Sequence, residues 1–332
     1  MIWLAWRRHR LPIIVTGGAL VVLGVWMALV AHSFEVALHT RAPQGCLERL
    51  PRCNGLSHGW LGSQSQAGYI DLLLFLVPCL VGVALGAPLV AGELQRHTNR
   101  VAWTQGISRS RWLVIDWLVV GLSAAVMVGL LQVVVQWWSG HVLVNFLETA
   151  PLPGTFRIVP RLFGITGIVP IVYTLFAFSL GAALGAIFRR VGWAVVGTLV
   201  GYGSATALLV LNIRPYHLAP PVFVPSQAPI GVAFSGQTKW TLGFGYRFIP
   251  GAPNAAGTVA ANEIAQRCQR HAYGGDYSSL LRCLTAHKVE AGTLYQPTSH
   301  YWALQWGEAG IYVIAVAVLF GLTLWAVRRW KA

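Results

Sequence analysis

The chain alternates between long apolar runs and polar segments. Six runs have about the 20 residues that a helix needs to cross a hydrocarbon layer about 30 Å thick. They lie near 11–31, 70–91, 113–138, 162–188, 191–212 and 309–327. This pattern predicts an all-α membrane protein with six transmembrane helices.

Composition supports the same class. Of the 332 residues, 55% are hydrophobic and 10% are charged, and the mean hydropathy is +0.59. Soluble domains carry about 25% charged residues. The net charge of +14 is ordinary for a membrane protein with basic cytoplasmic ends. Because no nucleic-acid-binding motif accompanies this charge, nucleic acid is not an expected partner.

The basic residues predict the orientation. Short segments on one side of the runs carry Arg7, Arg8, Arg10, Arg96, Arg100, Arg109, Arg111, Arg189, Arg190, Arg328, Arg329 and Lys331. The remaining basic residues are diluted over longer loops. The positive-inside rule therefore predicts a multi-pass protein of the cell membrane with both termini cytoplasmic.

The first ten residues, MIWLAWRRHR, combine tryptophans with a basic cluster. This composition predicts a short N-terminal interfacial helix. The alternative is that the segment simply extends the first span. A signal peptide is a third reading, but the apolar run is too long and no clear A-x-A cleavage site follows it.

The predicted organisation has three parts. Residues 1–212 hold the first five spans, with a cytoplasmic loop at 93–112. Residues 213–308 form an extracellular domain. Its first part is rich in Pro and Gly and is expected to be irregular or short extended structure, and one or two helices lie within 258–288. Residues 309–332 hold the sixth span and a basic tail.

Four of the five cysteines fall in segments predicted to lie outside. They are Cys46, Cys53, Cys268 and Cys283, whereas Cys79 lies in an apolar run. Disulfides persist in that compartment. Four cysteines allow three connectivities, of which we favour the two local pairs, and four free thiols are the alternative. No cysteine or histidine spacing indicates a metal site.

Motifs for catalysis were not found. The chain has no GxxxxGK[ST], HExxH or GxSxG motif. Its ten acidic residues are predicted to lie in loops or within about a turn of a span end, which argues against a proton-driven antiporter. We therefore expect no enzyme activity and no cofactor in this chain.

The spans carry uncharged polar residues. Gln132, Gln136 and Thr206 are candidates for a substrate path, and interhelical hydrogen bonds are the alternative role. The run SLGAALGA at 179–186 contains small residues at a spacing that permits close helix packing.

The loop at 93–112, ELQRHTNRVAWTQGISRSRW, is longer than a simple turn requires. It contains a candidate helix with Thr98 as N-cap. Trp103 and several arginines give it the composition of a protein interface. The alternative is a helix that lies on the anionic lipid of the inner leaflet.

This loop resembles the first cytoplasmic loop of type-2 ABC transporter permeases of an actinobacterial type. The shared pattern is an acidic residue, a run ending in Ala-Trp-Thr-Gln, and a closing Arg-Trp-Leu. MIWLAWRRHR, LFGITGIVPIVYTLFAFSLGAALGAIFRR and YQPTSHYWALQWGEAGIYV resemble other parts of these permeases in the same order. The loop at 213–294 matches less closely.

The resemblance implies a six-helix permease that pairs with a second permease copy or a homologous permease. A separate ABC ATPase subunit would bind ATP and Mg and drive it. The loop would carry the coupling helix, and the residues implied to dock on the ATPase are Glu93, Arg96, Thr98, Arg100, Trp103, Thr104, Gln105, Arg109 and Arg111.

Two functions remain open. The first is an exporter permease for a hydrophobic or amphipathic substrate such as an antibiotic, a peptide or a lipid. The second is a membrane sensor or receptor with an extracellular ligand-binding domain. A membrane enzyme is disfavoured because no catalytic constellation was found.

Overall fold

The computed structural model describes residues 2–41, 59–95, 108–139, 158, 160–225, 240–249, 257–271 and 277–329. In these parts of the chain, six helices are long and apolar enough to cross a membrane, which confirms the predicted number. Their apolar stretches lie within Ala5–Ser33, Gly68–Gln95, Arg109–Trp138, Val169–Phe188, Val191–Tyr216 and Thr298–Arg329.

We number the helices and strands along the chain. The helices of the first three spans are α1 Ile2–Arg41, α2 Gly59–Gln95 and α3 Arg109–Trp138. The short helix α4 Pro160–Phe163 precedes α5 Val169–Phe188 and α6 Val191–Leu208. A π-helical turn, Leu209–Ile213, extends α6 into the short helix α7 Arg214–Tyr216. The remaining helices are α8 Gly257–His271, α9 Tyr277–Ala286 and α10 Tyr301–Arg329.

The expected short N-terminal helix is not a separate element. Helix α1 runs without a break from Ile2 to Arg41, so the alternative, an extended first span, is the correct one. Pro12 lies inside this helix and does not end it. A proline in a helix interior removes one hydrogen bond and crowds the carbonyl four residues earlier, but the remaining backbone groups in an apolar environment are best satisfied within a helix.

Two span boundaries differ from their predicted positions. The fourth span helix begins at Val169 rather than near 162, because residues 164–168 leave the helical conformation. Gly167 in this stretch has φ 77°, a backbone conformation that favours glycine. The sixth begins at Tyr301 rather than at 309, since polar residues lower the hydropathy of its first turns without interrupting the helix.

The chain divides into two compact units. Unit 1 comprises residues 1–148, 161–211 and 305–332, and holds the membrane helices. Unit 2 comprises residues 149–160 and 212–304.

Within unit 1, helices α2 and α5 approach so closely that glycines are required. A Cβ atom at Gly86 would lie 2.3 Å from the carbonyl oxygen of Phe178, and one at Gly181 would lie 2.8 Å from the backbone nitrogen of Ala87. The close approach involves two facing small-xxx-small pairs, Gly82 with Gly86 and Gly181 with Gly185. The prediction that the small residues of 179–186 pack against a neighbouring helix is confirmed.

The side chain of Phe178 connects this helix pair to the rest of unit 1. Its ring centroid lies 5.7 Å from that of Trp117 on α3, which lies 4.9 Å from that of Phe320 on α10. A Cβ atom at Gly121 of α3 would lie 3.1 Å from the Phe178 ring. Helices α3 and α10 therefore pack around an aromatic cluster next to the α2–α5 contact.

Unit 2 corrects the expectation of an all-α protein. It contains an antiparallel sheet of three strands in the order β1–β3–β2. The strands are β1 Val222–Pro225, β2 Trp240–Phe248 and β3 Val289–Gln296. Their apolar alternation is hard to recognise in sequence because β1 is short and the longer strands contain glycine. The chain as a whole is mostly helical.

Helices α8 and α9 pack against the sheet, and both lie in the stretch predicted to be helical. Their apolar core includes Ala261, Ala265, Leu284 and Val289. Cys268 and Cys283 are joined as a disulfide, with 5.6 Å between their Cα atoms. The ligand atoms of these cysteines and His287 lie within 4.8 Å of one another. Because sulfurs bonded to each other are not thiolate ligands, we do not assign a metal site here.

We predict that Gly86→Ala destabilises unit 1. The added methyl group would clash with the backbone of α5, and overpacking of this kind costs about 1–3 kcal/mol. Thermal unfolding of the full chain in detergent measures the effect. Gly203→Ala is the control, because a Cβ atom there has nothing within 4 Å. Equal stability of the two variants would contradict the packing account.

We also predict that non-reducing peptide mapping recovers a Cys268–Cys283 linkage and an unmodified Cys79, which is buried in α2. A closed loop with a sequence separation of 15 contributes about 3 kcal/mol in the loop-entropy model. Free thiols at both positions would contradict this pairing. The mapping also tests the predicted pairing of Cys46 with Cys53, which lie outside the described residues.

Candidate functional site

Four ionisable side chains meet at one end of the helix bundle, where α1 and α3 begin and α2 ends. Arg8 Nε lies 3.5 Å from Glu93 Oε1, and Arg8 Nη1 lies 3.6 Å from Asp116 Oδ2. His9 Nε2 also lies 3.6 Å from Asp116 Oδ2. We call these four residues the basic-end cluster. It joins three membrane helices through charged groups.

The carboxylates of this cluster are buried. Glu93 is 9% exposed and Asp116 is 3% exposed. Removing one partner of a buried ion pair leaves an uncompensated charge and is strongly destabilising. Arg8 therefore holds the beginning of α1 against α2 and α3.

The predicted docking loop lies between these carboxylates in the sequence. Of its implied docking residues, Arg96, Thr98, Arg100, Trp103, Thr104 and Gln105 lie outside the described residues. Glu93 belongs to the last turn of α2, and Arg109 and Arg111 belong to the first turn of α3. The ends of the loop are thus rigid helix ends rather than irregular chain.

The two arginines on α3 differ in their exposure. Ser108 caps the helix by accepting a hydrogen bond from the backbone nitrogen of Arg111 at 3.4 Å. Arg111 is exposed and Arg109 is half-buried. By contrast, Glu93 is buried and contacts Arg8, so its carboxylate is better placed to position the loop than to contact a partner.

A tight turn at Arg189 and Arg190 lies at the same end of the bundle, because α5 runs parallel to α2. Arg189 has φ 55°, and its N–H donates to the carbonyl oxygen of Gly185 at 3.0 Å. Glycine is the usual residue in this left-handed cap conformation. Arginine is present despite that preference, so the position combines a helix cap with a positive charge.

Two arginines at this end stack on exposed tryptophans. The guanidinium carbon of Arg7 lies 5.2 Å from the ring centroid of Trp3, and that of Arg329 lies 4.3 Å from the ring centroid of Trp325. Tryptophan and arginine together are typical of residues at a membrane–water interface. The basic end of the bundle therefore carries side chains of the interfacial type on its exposed surface.

At the opposite end, one side chain of α10 holds the irregular segment before α5. Gln305 Oε1 accepts hydrogen bonds from the backbone nitrogens of Ile168 and Val169 at 3.0 and 3.1 Å. Gln305 Nε2 donates to the carbonyl oxygens of Phe163 and Thr166 at 3.2 and 3.1 Å. Gln305 is fully buried. It thereby satisfies backbone groups that the broken helix leaves without helical partners.

A second polar contact between the same helices lies one turn further along α10. The Tyr173 hydroxyl donates a hydrogen bond to the carboxylate of Glu308, and both residues are buried. Nearby, Tyr312 Oη lies 3.4 Å from Thr206 Oγ1. Tyr202, whose ring centroid lies 6.2 Å from that of Tyr173, has no hydrogen-bond partner of normal geometry among the described residues. We call these five residues the tyrosine–glutamate cluster.

Sequence reasoning missed this cluster apart from Thr206. A signal was present, because Tyr301, Gln305, Glu308 and Tyr312 recur at the spacing of one helix face. The pattern is hard to recognise because the apolar run that indicates the sixth span begins only near 309.

The other two candidates for the substrate path are not hydrogen-bonded to this cluster. Gln132 is 8% exposed, and its Oε1 atom has no hydrogen-bond partner in the described parts of the chain. Gln136 is half-buried on the same helix. In the described parts of the chain, neither glutamine is hydrogen-bonded to Thr206.

Two acidic residues lie inside long helices of the bundle. Asp116 and Glu308 each lie about two turns inside a membrane helix, and both are buried. Their predicted position near span ends stays a prediction, because α3 and α10 are both longer than a span requires. Both residues face protein rather than lipid, which is where ionisable groups of membrane proteins are usually found.

An apolar groove of about 760 Å³ runs between α1 and α3. Gly17 and Gly24 form one side, and Met127, Leu130 and Trp137 contribute to the other. Its residues carry no ionisable side chain. A groove of this kind accommodates an acyl chain or another apolar group.

Six apolar helices joined by buried polar contacts define a multi-pass membrane protein. A family model described as ABC-2 membrane transporter related matches residues 17–214. The match covers more than half of the chain, and the chain belongs to this family. It begins inside the first membrane helix, continues through the fifth and ends before most of unit 2. The searches of curated proteins and of solved structures found no match.

Family membership confirms the resemblance to ABC-2 permeases. It supports a membrane transporter subunit, and it implies an ABC ATPase partner in general. It favours transport over the sensor hypothesis.

We predict that Tyr173→Phe lowers stability and that Tyr202→Phe does not. The first change removes a hydroxyl that donates to a buried carboxylate, at a cost of about 1–3 kcal/mol. The second removes a buried hydroxyl that makes no hydrogen bond of normal geometry in the described chain. Thermal unfolding of both variants in detergent makes the comparison. An equal loss of thermal stability in the two variants would show that the hydrogen bond from Tyr173 to Glu308 makes no specific contribution to stability.

Proposed function

We propose that this chain is the permease subunit of an ATP-driven exporter for a hydrophobic or amphipathic substrate. The observation that carries the proposal is the basic-end cluster. Arg8 contacts Glu93 at the start of the loop and Asp116 after it, so a force on the loop acts on α1, α2 and α3 together.

In this proposal the basic end faces the cytoplasm and the loop docks on the ATPase subunit. Closure of the ATPase dimer around ATP displaces the docked loops. Trp103 is the central anchor, and Arg100, Arg109 and Arg111 pair with acidic groups of the ATPase. The chain moves substrate and takes no part in ATP hydrolysis, since ATP and Mg belong to the partner.

The substrate class follows from the apolar character of the surfaces that it would contact. The groove between α1 and α3 is open to an apolar ligand, and Thr206 belongs to a buried polar cluster inside the bundle. A substrate with an apolar body suits both features. Pairing with a second permease, identical or homologous, completes the proposed transporter.

Two variants separate docking from transmission. Trp103→Ala should weaken co-purification of the ATPase subunit, because truncation of a buried tryptophan at an interface typically costs about 2 kcal/mol or more. Arg8→Lys keeps a positive charge beside the buried carboxylates but loses the forked guanidinium that reaches both of them. It should leave co-purification intact and reduce ATP-dependent transport in vesicles, since the loop would lose part of its link to α1. Trp306→Ala is the control for co-purification, because it also removes a tryptophan and Trp306 is exposed on α10.

Full ATPase binding and transport by the Trp103→Ala, Arg100→Ala double variant would reject docking through this loop and favour a loop that rests on lipid. Transport that persists without nucleotide and stops with a proton ionophore would reject the ATP-driven mechanism.

A further inference from the structure

The irregular segment before α5 depends on a side chain from another helix. The amide group of Gln305 has two acceptor lone pairs and two donor hydrogens, and all four positions are used. Its partners are four backbone groups of the segment 161–169. An irregular backbone at membrane depth is tolerated only when such groups are satisfied by protein or water.

We propose that residues 161–168 form a gate and that Gln305 is the positioning residue that latches it shut. The latch releases when α10 moves away from α5. This proposal rests on the proposed transport function, and it assigns the moving contact to the end of the bundle opposite the basic-end cluster.

The difference between the two contacts of α5 indicates which one moves. Against α2, helix α5 packs backbone to backbone at glycines, which leaves no room for rearrangement. Against α10, it is held by hydrogen bonds that the backbone N–H of Val169 donates to Gln305 and the hydroxyl of Tyr173 donates to Glu308. Only 17% of the most apolar stretch of α10 is buried, compared with 61% for α2 and for α5, although Gln305 and Glu308 themselves are fully buried. Helix α10 is therefore the partner that separates most easily.

The segment 161–168 combines glycines, which allow backbone movement, with apolar side chains that fill the space around it. Gly167 has φ 77°, and an added Cβ atom at Gly164 meets only the Phe75 ring, at 3.9 Å. Phe163 and Ile165 are buried, with 0% and 2% of their surface exposed. Glycines permit the backbone to change conformation, and the two apolar side chains fill the space while the segment is closed.

The hydrogen bond between Tyr173 and Glu308 reinforces the latch. Glu308 follows Gln305 by one turn on the same face of α10, and Tyr173 follows Val169 by one turn on α5. One movement of α10 therefore breaks both contacts. Both contacts are hydrogen bonds, and hydrogen bonds can form again when the two helices come back together.

Hydrogen exchange of the full chain in detergent, measured by mass spectrometry over the peptide that covers 161–175, tests the latch. In Gln305→Leu, the amides of Ile168 and Val169 lose their acceptor. We expect them to exchange about tenfold faster or more, which corresponds to about 1.4 kcal/mol. Gln132→Leu is the matched control for exchange in this peptide, because Gln132 is buried in a span and its Oε1 atom has no hydrogen-bond partner in the described chain. Exchange that is equal in the two variants would overturn the latch.

A measurement on the unaltered chain tests the gate and does not depend on the folding of any variant. The chain is purified with its ABC ATPase partner and compared without nucleotide and with a non-hydrolysable ATP analogue. We expect faster exchange at 161–169 in one of these states and unchanged exchange in the part of α5 that packs on α2.

Equal exchange in both states of a complex that transports would overturn the gate and leave the proposed function intact. A complex that transports nothing would reject the proposed function, while the comparison of Gln305→Leu with Gln132→Leu would still decide whether Gln305 holds the segment.

Discussion

The backbone contact between α2 and α5 is the constraint on which unit 1 depends. Facing glycines let the two helices approach so closely that the carbonyl oxygen of Phe178 occupies the place of a side chain at Gly86. In lipid, helices associate through close packing and polar contacts rather than by removing apolar surface from water. The contact also sets the position of Phe178, around which α3 and α10 pack.

Polar contacts at the two ends of the bundle complement this apolar centre. At one end, Arg8 bridges Glu93 and Asp116. At the other, Gln305 and Glu308 of α10 bind the start of α5. Glycine packing resists small displacements, whereas hydrogen bonds and ion pairs at helix ends break and re-form. A bundle with a rigid centre and exchangeable ends suits a subunit that converts a movement at one end into an opening at the other, as the proposed function requires.

The functional residues were predicted to different extents for physical reasons. The loop at 93–112 is recognisable as a candidate docking site because it is longer than a turn requires and combines arginine with tryptophan, the composition of a protein interface. The contact of Arg8 with both carboxylates was not recognisable, since residues 8, 93 and 116 become neighbours only through helix packing. Gln305 was overlooked because its role depends on backbone groups of 163–169 that the helix break leaves unsatisfied.

The sequence by itself determined the membrane class, the six spans and the family, because apolar length and local motifs are properties of contiguous residues. It also indicated the small-residue packing at 179–186. Only the tertiary structure decided that α1 is continuous, that α5 begins after an irregular segment and that unit 2 contains a sheet. It also decided which carboxylates are buried and which residues they contact. These features depend on contacts between residues distant in the chain, and hydropathy averaged along the chain carries no information about such contacts.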